Sequence, residues 1–182
     1  MANITKWSFR DGNRMARTVG RYLTDRVNYT TDEFIEAAEK AIVEHPNEWV
    51  IFYTLGDMYM DKGQYARALQ ACKRCVELRP KDIRSAYALA TAYNVLTRAT
   101  WSDLEAAGVD ALKQALGSLP VLLDRDLSRS ELDEMGMMAE TAAVQAIRWF
   151  ERAQELKPDA QSRAQIGEDL STLYTRFPHL RH

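Results

Sequence analysis

The sequence predicts an all-α protein, and three of its features support that fold class. Glycine and proline are scarce, with 8 and 5 copies in 182 residues, whereas strong helix formers such as Ala, Leu and Glu are plentiful. Apolar residues recur at spacings of three and four, as they do on one face of an amphipathic helix. Pairs of these segments also recur along the chain at a constant interval, which we call the repeat period. A chain of this length is most simply one domain with its own core.

The charge pattern disfavours nucleic acid and membrane surfaces as partners. The 24 basic and 26 acidic residues leave a net charge of −2, and the two signs are interspersed along the chain. The first residues lack the apolar run of a secretory signal, and no segment reaches the roughly 18 apolar residues of a membrane span. We therefore expect a cytoplasmic protein whose cysteines stay reduced.

The repeat period is clearest between residues 49 and 80, where the sequence reads WVIFYTLGDMYMDKGQYARALQACKRCVELRP. Gly63 marks a turn between two helices, and each helix carries an apolar stripe on one face. Gly56 lies within the first stripe, where it would let a neighbouring helix approach closely. Neither helix can bury its stripe alone, so the two must pack on each other and on the next pair. The stripes are Phe52, Leu55, Gly56 and Tyr59 in the first helix, and Leu69, Cys72, Cys75, Val76 and Leu78 in the second.

This spacing resembles the tetratricopeptide repeat (TPR), a helix–turn–helix unit of about 34 residues. The resemblance implies a right-handed TPR-like α-solenoid of about three helix pairs. It also implies that the first helix of each pair lines a concave groove, where a peptide or helix of a partner protein lies. The residues that carry the resemblance are Phe52, Leu55, Gly56, Tyr59, Ala68 and Pro80.

Cys72 and Cys75 take the positions that usually hold Phe and Ala in that repeat. Residues three apart on a helix share a face, and here that face must be buried, so we predict that both are small core residues. A zinc site would need two further ligands, and the sequence has three histidines and no second CxxC. A redox motif would need a strand before its helix. We therefore expect no metal and no cofactor, and a thiol or metal protein is the less favoured alternative.

The repeat period also predicts how the rest of the chain is organised. Pro46 lies one period before Pro80, whereas Pro158 lies more than two periods after it and at no whole multiple of the period. The separation of Pro80 and Pro158 exceeds one repeat period, and the additional residues are predicted to be an insertion that splits the third repeat. Asp159 then caps a final amphipathic helix that closes the stack. The single predicted domain comprises a degenerate repeat one at 13–48, repeat two at 49–82, repeat three at 83–97 and 142–158, a helical insertion at 98–141, and a capping helix at 159–177.

The insertion is predicted to be helical. Ser102 and Glu105 form a capping box that begins a helix through about Gly117. A second capping signal at Ser128 begins a helix that lengthens the last helix of repeat three, although Gly136 could break it.

Two interpretations of the insertion and of the N-terminus stay open. The added helices could pack on the flank of the solenoid and complete its core. Alternatively, Leu119, the run 121–123 and the MGMM stretch at 135–138 could form an apolar docking surface. Trp7 and Phe9 could tuck under the first repeat or belong to an arm that grips another subunit.

The resemblance also implies a set of groove residues. Val19, Tyr53 and Tyr87 are spaced by one repeat period each, so they would form a ladder along the groove. The mixed lining suits an extended or helical segment with apolar anchors. TPR proteins that clamp the acidic C-termini of chaperones use Lys and Arg here, and Arg84 alone is such a candidate, so that role is disfavoured. The predicted groove residues are Val19, Leu23, Val50, Tyr53, Asp57, Met60, Arg84, Tyr87, Thr91 and Asn94.

The predicted function is that of a non-catalytic scaffold or adaptor that binds a protein segment in this groove. No phosphate-binding loop, nucleophile elbow or zinc-protease motif occurs, so we do not expect an enzyme. The alternative is an accessory or assembly subunit, or a self-associating module, that uses the insertion and terminal helices as its interface. Homo-oligomer formation is a further expectation, because three repeats are near the minimum for a stable solenoid.

Overall fold

The computed structural model describes residues 31–99, 103, 106, 108–116 and 131–181. These residues form α-helices and one short 3₁₀ helix, and no strand occurs among them. The predictions of an all-α fold and of stacked helical repeats are therefore confirmed. The helices are α1 (Thr31–Glu44), α2 (Trp49–Asp61), α3 (Tyr65–Leu78), α4 (Ile83–Leu96), α5 (Val109–Leu116), α6 (Glu131–Glu155) and α7 (Ala160–Arg176), followed by the 3₁₀ helix Pro178–Leu180.

Helices α2 and α3 form the predicted hairpin, and two glycines explain its geometry. Gly63 adopts a positive φ of 69° in the turn, a conformation that side chains other than glycine rarely adopt. Gly56 faces α3 so closely that a Cβ at this position would lie 2.6 Å from the Cys72 sulfur. The close approach predicted from Gly56 is therefore present, and Cys72 is the residue that fills the space.

Both cysteines are core residues, as predicted. Cys72 and Cys75 are each 0% exposed, and the Cys75 sulfur lies 3.1 Å from the Ser85 hydroxyl of α4. Burial raises the pKa of the Cys72 thiol far above its usual range and raises the pKa of the Cys75 thiol to about 11. Both thiols therefore stay protonated at neutral pH, in the form that is a poor nucleophile and a poor metal ligand.

Helix α4 packs mainly against α6, which lies on the far side of the insertion in sequence. The two are joined through the core residue Phe150, which is 0% exposed and meets the Tyr87 ring edge to face at 5.6 Å. Helix α6 is 25 residues long, so the predicted lengthening at its front is confirmed. The break considered at Gly136 does not occur, because one glycine between good helix formers weakens a helix without ending it. The division of the chain into repeats stays a prediction.

The described part of the insertion belongs to the core. Helix α5 packs on α3, with Leu112 0% exposed, and Lys73 of α3 donates a hydrogen bond to the carbonyl oxygen of Ala115. The prediction of one helix through about Gly117 is wrong, because Gly108 has a φ of 84° and is not helical. A backbone in the left-handed region cannot continue an α-helix. Several residues of the insertion predictions lie outside the described residues: Ser102, Glu105, Gly117, Leu119, 121–123 and Ser128.

Helix α7 is the predicted closing helix. The Asp159 carboxylate accepts a hydrogen bond from the Ser162 backbone N–H at 2.7 Å, which is the expected N-cap. The helix buries Ile166, Leu170 and Leu173 against the rest of the protein. No helix of the described part of the chain is both long and apolar enough to cross a membrane.

The N-terminal predictions lie outside the described residues. These are the groove residues Val19 and Leu23, the aromatic residues Trp7 and Phe9, and the first helix of repeat one. Helix α1 is described and packs on α2. Between them, the Tyr59 hydroxyl donates to the Glu39 carboxylate at 2.6 Å, and Arg67 of α3 also binds that carboxylate. This hydrogen bond from Tyr59, aided by Arg67, holds the pKa of Glu39 below its usual value.

Candidate functional site

The described groove residues come from two helices, α2 and α4. Helix α2 supplies Val50, Tyr53, Asp57 and Met60, and α4 supplies Arg84, Tyr87, Thr91 and Asn94. All of them except Asn94 are partly exposed. We call the seven partly exposed residues the inner face: Val50, Tyr53, Asp57, Met60, Arg84, Tyr87 and Thr91.

Asn94 is a correction to the prediction. Its side chain is only 7% exposed, so it is not available to a partner. It lies in the last turn of α4, where Arg176 of α7 donates hydrogen bonds to the hydroxyl of Thr97 at 2.8 Å and to its carbonyl oxygen at 2.5 Å. These bonds hold the end of α4 against the closing helix, which the repeat pattern alone did not indicate.

The α2 end of the inner face is organised around Trp49, which the groove prediction missed. The Trp49 and Tyr53 rings meet edge to face, with centroids 6.1 Å apart. The Arg84 guanidinium lies 4.5 Å from the Trp49 ring centroid, within the range of a cation–π interaction. Arg84 also binds both carboxylate oxygens of Asp82, at 3.0 and 2.7 Å. Trp49 lies one helical turn before Tyr53, and that spacing is the signal that could have identified it.

Both tyrosines of the inner face keep their hydroxyl protons at neutral pH. Burial, together with the negative charge of Asp57, raises the pKa of Tyr53 to about 12. Burial and the nearby Asp169 carboxylate raise the pKa of Tyr87 well above its usual value. Each tyrosine is therefore a neutral, partly exposed aromatic side chain on this side of the protein.

The closing helix α7 adds two residues to this site that the sequence prediction also missed. The Tyr87 hydroxyl donates to the Asp169 carboxylate at 3.0 Å, and Gln165 also hydrogen-bonds to that carboxylate. A sequence signal for these residues exists. Gln165 follows Tyr87 by the same interval that separates Asp169 from Thr91 and Pro158 from Pro80. Applying the repeat register to the last helix would therefore have placed both residues beside the predicted groove residues Tyr87 and Thr91.

The pKa of the Asp169 carboxyl is raised, whereas that of Asp82 is lowered. Asp169 is partly buried, and this burial raises its pKa even though the bonds from Tyr87 and Gln165 lower it. Its ionised form is therefore less well stabilised than that of an ordinary surface carboxylate. Among the residues that the structure describes, no group of three or more His, Cys, Asp or Glu side chains is arranged to hold a metal ion.

Comparison with known proteins identifies one repeat in the chain. The family model of the tetratricopeptide repeat matches residues 49–82. No curated protein sequence matches the chain significantly. The chain in the crystal structure of MamA is 21% identical in sequence to this chain. The match covers 81% of this chain and 79% of the MamA chain, with a TM-score of 0.35.

Proposed function

Because this chain carries a tetratricopeptide repeat at residues 49–82, we propose that it is a non-catalytic scaffold or adaptor that binds a partner protein on its inner face. Repeats of this family generally mediate protein–protein interactions, and their fold typically serves as a scaffold rather than as an enzyme. The partner element would be an extended peptide or one amphipathic helix, lying along α2 and α4.

The observation that carries the proposal is the pair Tyr53 and Tyr87. They lie one repeat period apart, on the equivalent helices α2 and α4, and both are partly exposed. Each ring is held by an aromatic neighbour, Trp49 for Tyr53 and Phe150 for Tyr87. Tyrosine is enriched among the residues that dominate binding energy, and a side chain that is fixed beforehand loses little entropy on binding.

The test is partner capture with the full chain and three variants. Proteins that co-purify with the wild type are identified by mass spectrometry, and capture is repeated with the double variant Tyr53→Ala, Tyr87→Ala. Losing one such anchor costs about 2 kcal/mol or more, which is roughly a thirtyfold loss of affinity. We expect the double variant to lose the partner while its circular dichroism spectrum stays helical. Val43→Ala is the matched control, because Val43 is 82% exposed and lies on α1, which supplies no residue of the inner face.

The third variant tests the insertion as the interface. Replacing Leu119, Leu122 and Leu123 with serine alters the apolar run of the insertion and leaves the buried residues of α5 unchanged. The proposal predicts that this variant keeps the partner. If it loses the partner and the tyrosine variant retains it, the inner face is not the binding surface and the accessory-subunit alternative is correct.

A further inference from the structure

Asp169 is a partly buried carboxylate whose hydrogen bonds come from neutral groups. It accepts from the Tyr87 hydroxyl at 3.0 Å and from Gln165. No ion pair joins it to a basic residue of the described part of the chain, and Arg98 influences it only electrostatically. A carboxylate in this setting has lost part of its hydration, and only the electrostatic influence of Arg98 compensates its charge. The approach of a cation would therefore stabilise the ionised form of the Asp169 carboxylate.

The other charges of the inner face also favour a cation. Arg84 is the basic member of that face, and Asp82 already binds its guanidinium through both carboxylate oxygens, at 3.0 and 2.7 Å. Asp57 adds negative charge near Tyr53, since it raises the pKa of that tyrosine. An acidic ligand would meet the Asp169 carboxylate and a guanidinium that Asp82 already binds, and Arg98 and Arg79 are the further basic groups that act on these two carboxylates.

The tyrosines supply a second attraction for a cation. The negative face of an aromatic ring attracts ammonium and guanidinium groups within about 6 Å of its centroid. The protein already uses this interaction at the α2 end of the inner face, where Arg84 and Arg79 lie 4.5 and 5.7 Å from the Trp49 ring centroid. Tyr53 and Tyr87 are near enough that the charge of Tyr53 raises the pKa of Tyr87.

We propose that the inner face selects partner segments that carry a lysine or arginine, with the cation bound by Asp169 against the tyrosine rings. This inference rests on the proposed function, because it names the chemistry of the segment that the same face takes. The Asp169 carboxylate supplies a charge-assisted hydrogen bond, and apolar residues on either side of the cation pack on Tyr53 and Met60.

The test uses random peptides displayed on phage and selected on the full chain. Selected peptides are expected to contain Lys or Arg beside apolar residues more often than Asp or Glu. For the strongest binder, Asp169→Asn should weaken binding by about tenfold or more, because a charged acceptor is lost. Asparagine has nearly the same shape and still accepts the Tyr87 hydroxyl. The matched control is Glu168→Gln, an exposed neighbour on the same helix, which should leave the affinity unchanged.

A peptide analogue completes the design. When the peptide lysine is replaced by norleucine, the wild type and Asp169→Asn should bind equally well. Selection of acidic or neutral peptides that need Tyr53, or an unchanged affinity in Asp169→Asn, overturns this inference and leaves the proposed function intact. If no selected peptide depends on Tyr53 or Tyr87, both proposals are wrong.

Discussion

Replacing Gly56 with alanine tests the contact on which the α2–α3 hairpin depends. The added Cβ would lie 2.6 Å from the Cys72 sulfur, well inside van der Waals contact, and 3.8 Å from its next neighbours, the Ala68 carbonyl oxygen and the Cys72 nitrogen. Cys72 is 0% exposed, so its sulfur is surrounded by other core atoms. The whole steric conflict therefore concerns one atom, which makes it removable by a second substitution.

The expected size of the effect follows from two opposing contributions. Overpacking a tight core costs about 1–3 kcal/mol. Alanine in place of glycine stabilises a helix by roughly 1 kcal/mol. We therefore expect Gly56→Ala to destabilise the wild type by up to about 2 kcal/mol. In a Cys72→Ala background the sulfur is absent, so the same change should stabilise the protein by up to about 1 kcal/mol.

The assay is urea unfolding of the four proteins of this double-mutant cycle, followed by circular dichroism. The free energies of unfolding should be non-additive, with a change of sign for Gly56→Ala between the two backgrounds. The matched control is Gly136→Ala in α6, where nothing lies within 4 Å of an added Cβ, so stabilisation is expected in either background. Equal effects of Gly56→Ala with and without the sulfur would refute the close packing of α2 on α3.

Three further predictions concern the core, the site and the thiols. Phe150→Ala should lower the free energy of unfolding by about 3–5 kcal/mol, because the ring is 0% exposed; a loss below about 1 kcal/mol in urea unfolding would contradict its place in the core. Because the pKa of Asp169 is raised in the folded state, protonation of this carboxyl stabilises the folded protein. This contribution is fully present below the unfolded pKa of about 4, and it is lost as pH rises through the folded pKa. Asp169→Asn should therefore be more stable than the wild type at pH 7 by thermal melting, with the difference shrinking at acid pH; a variant that is less stable at pH 7 would be inconsistent with this sign. Cys72 and Cys75 should react with a bulky maleimide only as fast as the native protein opens, because both are 0% exposed, and rapid labelling of the native protein would show that they are not core residues.

The sequence predicted the α2–α3 hairpin well because its determinants are local. The spacing of Leu55, Gly56 and Tyr59 fixes which side of α2 is buried, and Cys72 lies on the matching side of α3. The repeat period then sets the same relation between neighbouring helices further along the chain. Both cysteines could be assigned to the core from this register, without knowledge of any contact.

Two glycines show where local reasoning fails. Gly108 and Gly136 both lie within segments of helical periodicity. The prediction of an unbroken helix through Gly108 was wrong, whereas the predicted helix does continue through Gly136, where a break was only considered. At Gly108 the backbone takes a φ of 84° and α5 starts afresh at Val109, whereas α6 passes through Gly136. A single glycine permits either conformation, so the packing of the following helix against its neighbours decides between them. That packing is not encoded in the local sequence.

The contacts around the predicted groove residues could be foreseen less completely than those of the hairpin. Asn94 is buried, and Asp169 and Gln165 were missed, for one reason: the closing helix lies beside α4. Nothing near Asn94 in sequence indicates that Arg176 binds the end of α4. The repeat register does place Asp169 correctly, but only once the insertion is discounted and the last helix is treated as the next member of the series.

Photo-crosslinking from Tyr53 is the most direct test of the claim that the inner face binds a partner protein. A benzoylphenylalanine replaces Tyr53 in the full chain, and a second protein carries it at Val43, which is 82% exposed on α1. Irradiation in the native cells, followed by mass spectrometry, identifies what each position contacts. We predict a protein adduct from position 53, with the crosslinked residue in one defined segment of the partner, and none from position 43. Equal adducts from both positions, or an adduct from position 43 alone, would contradict the assignment of the inner face.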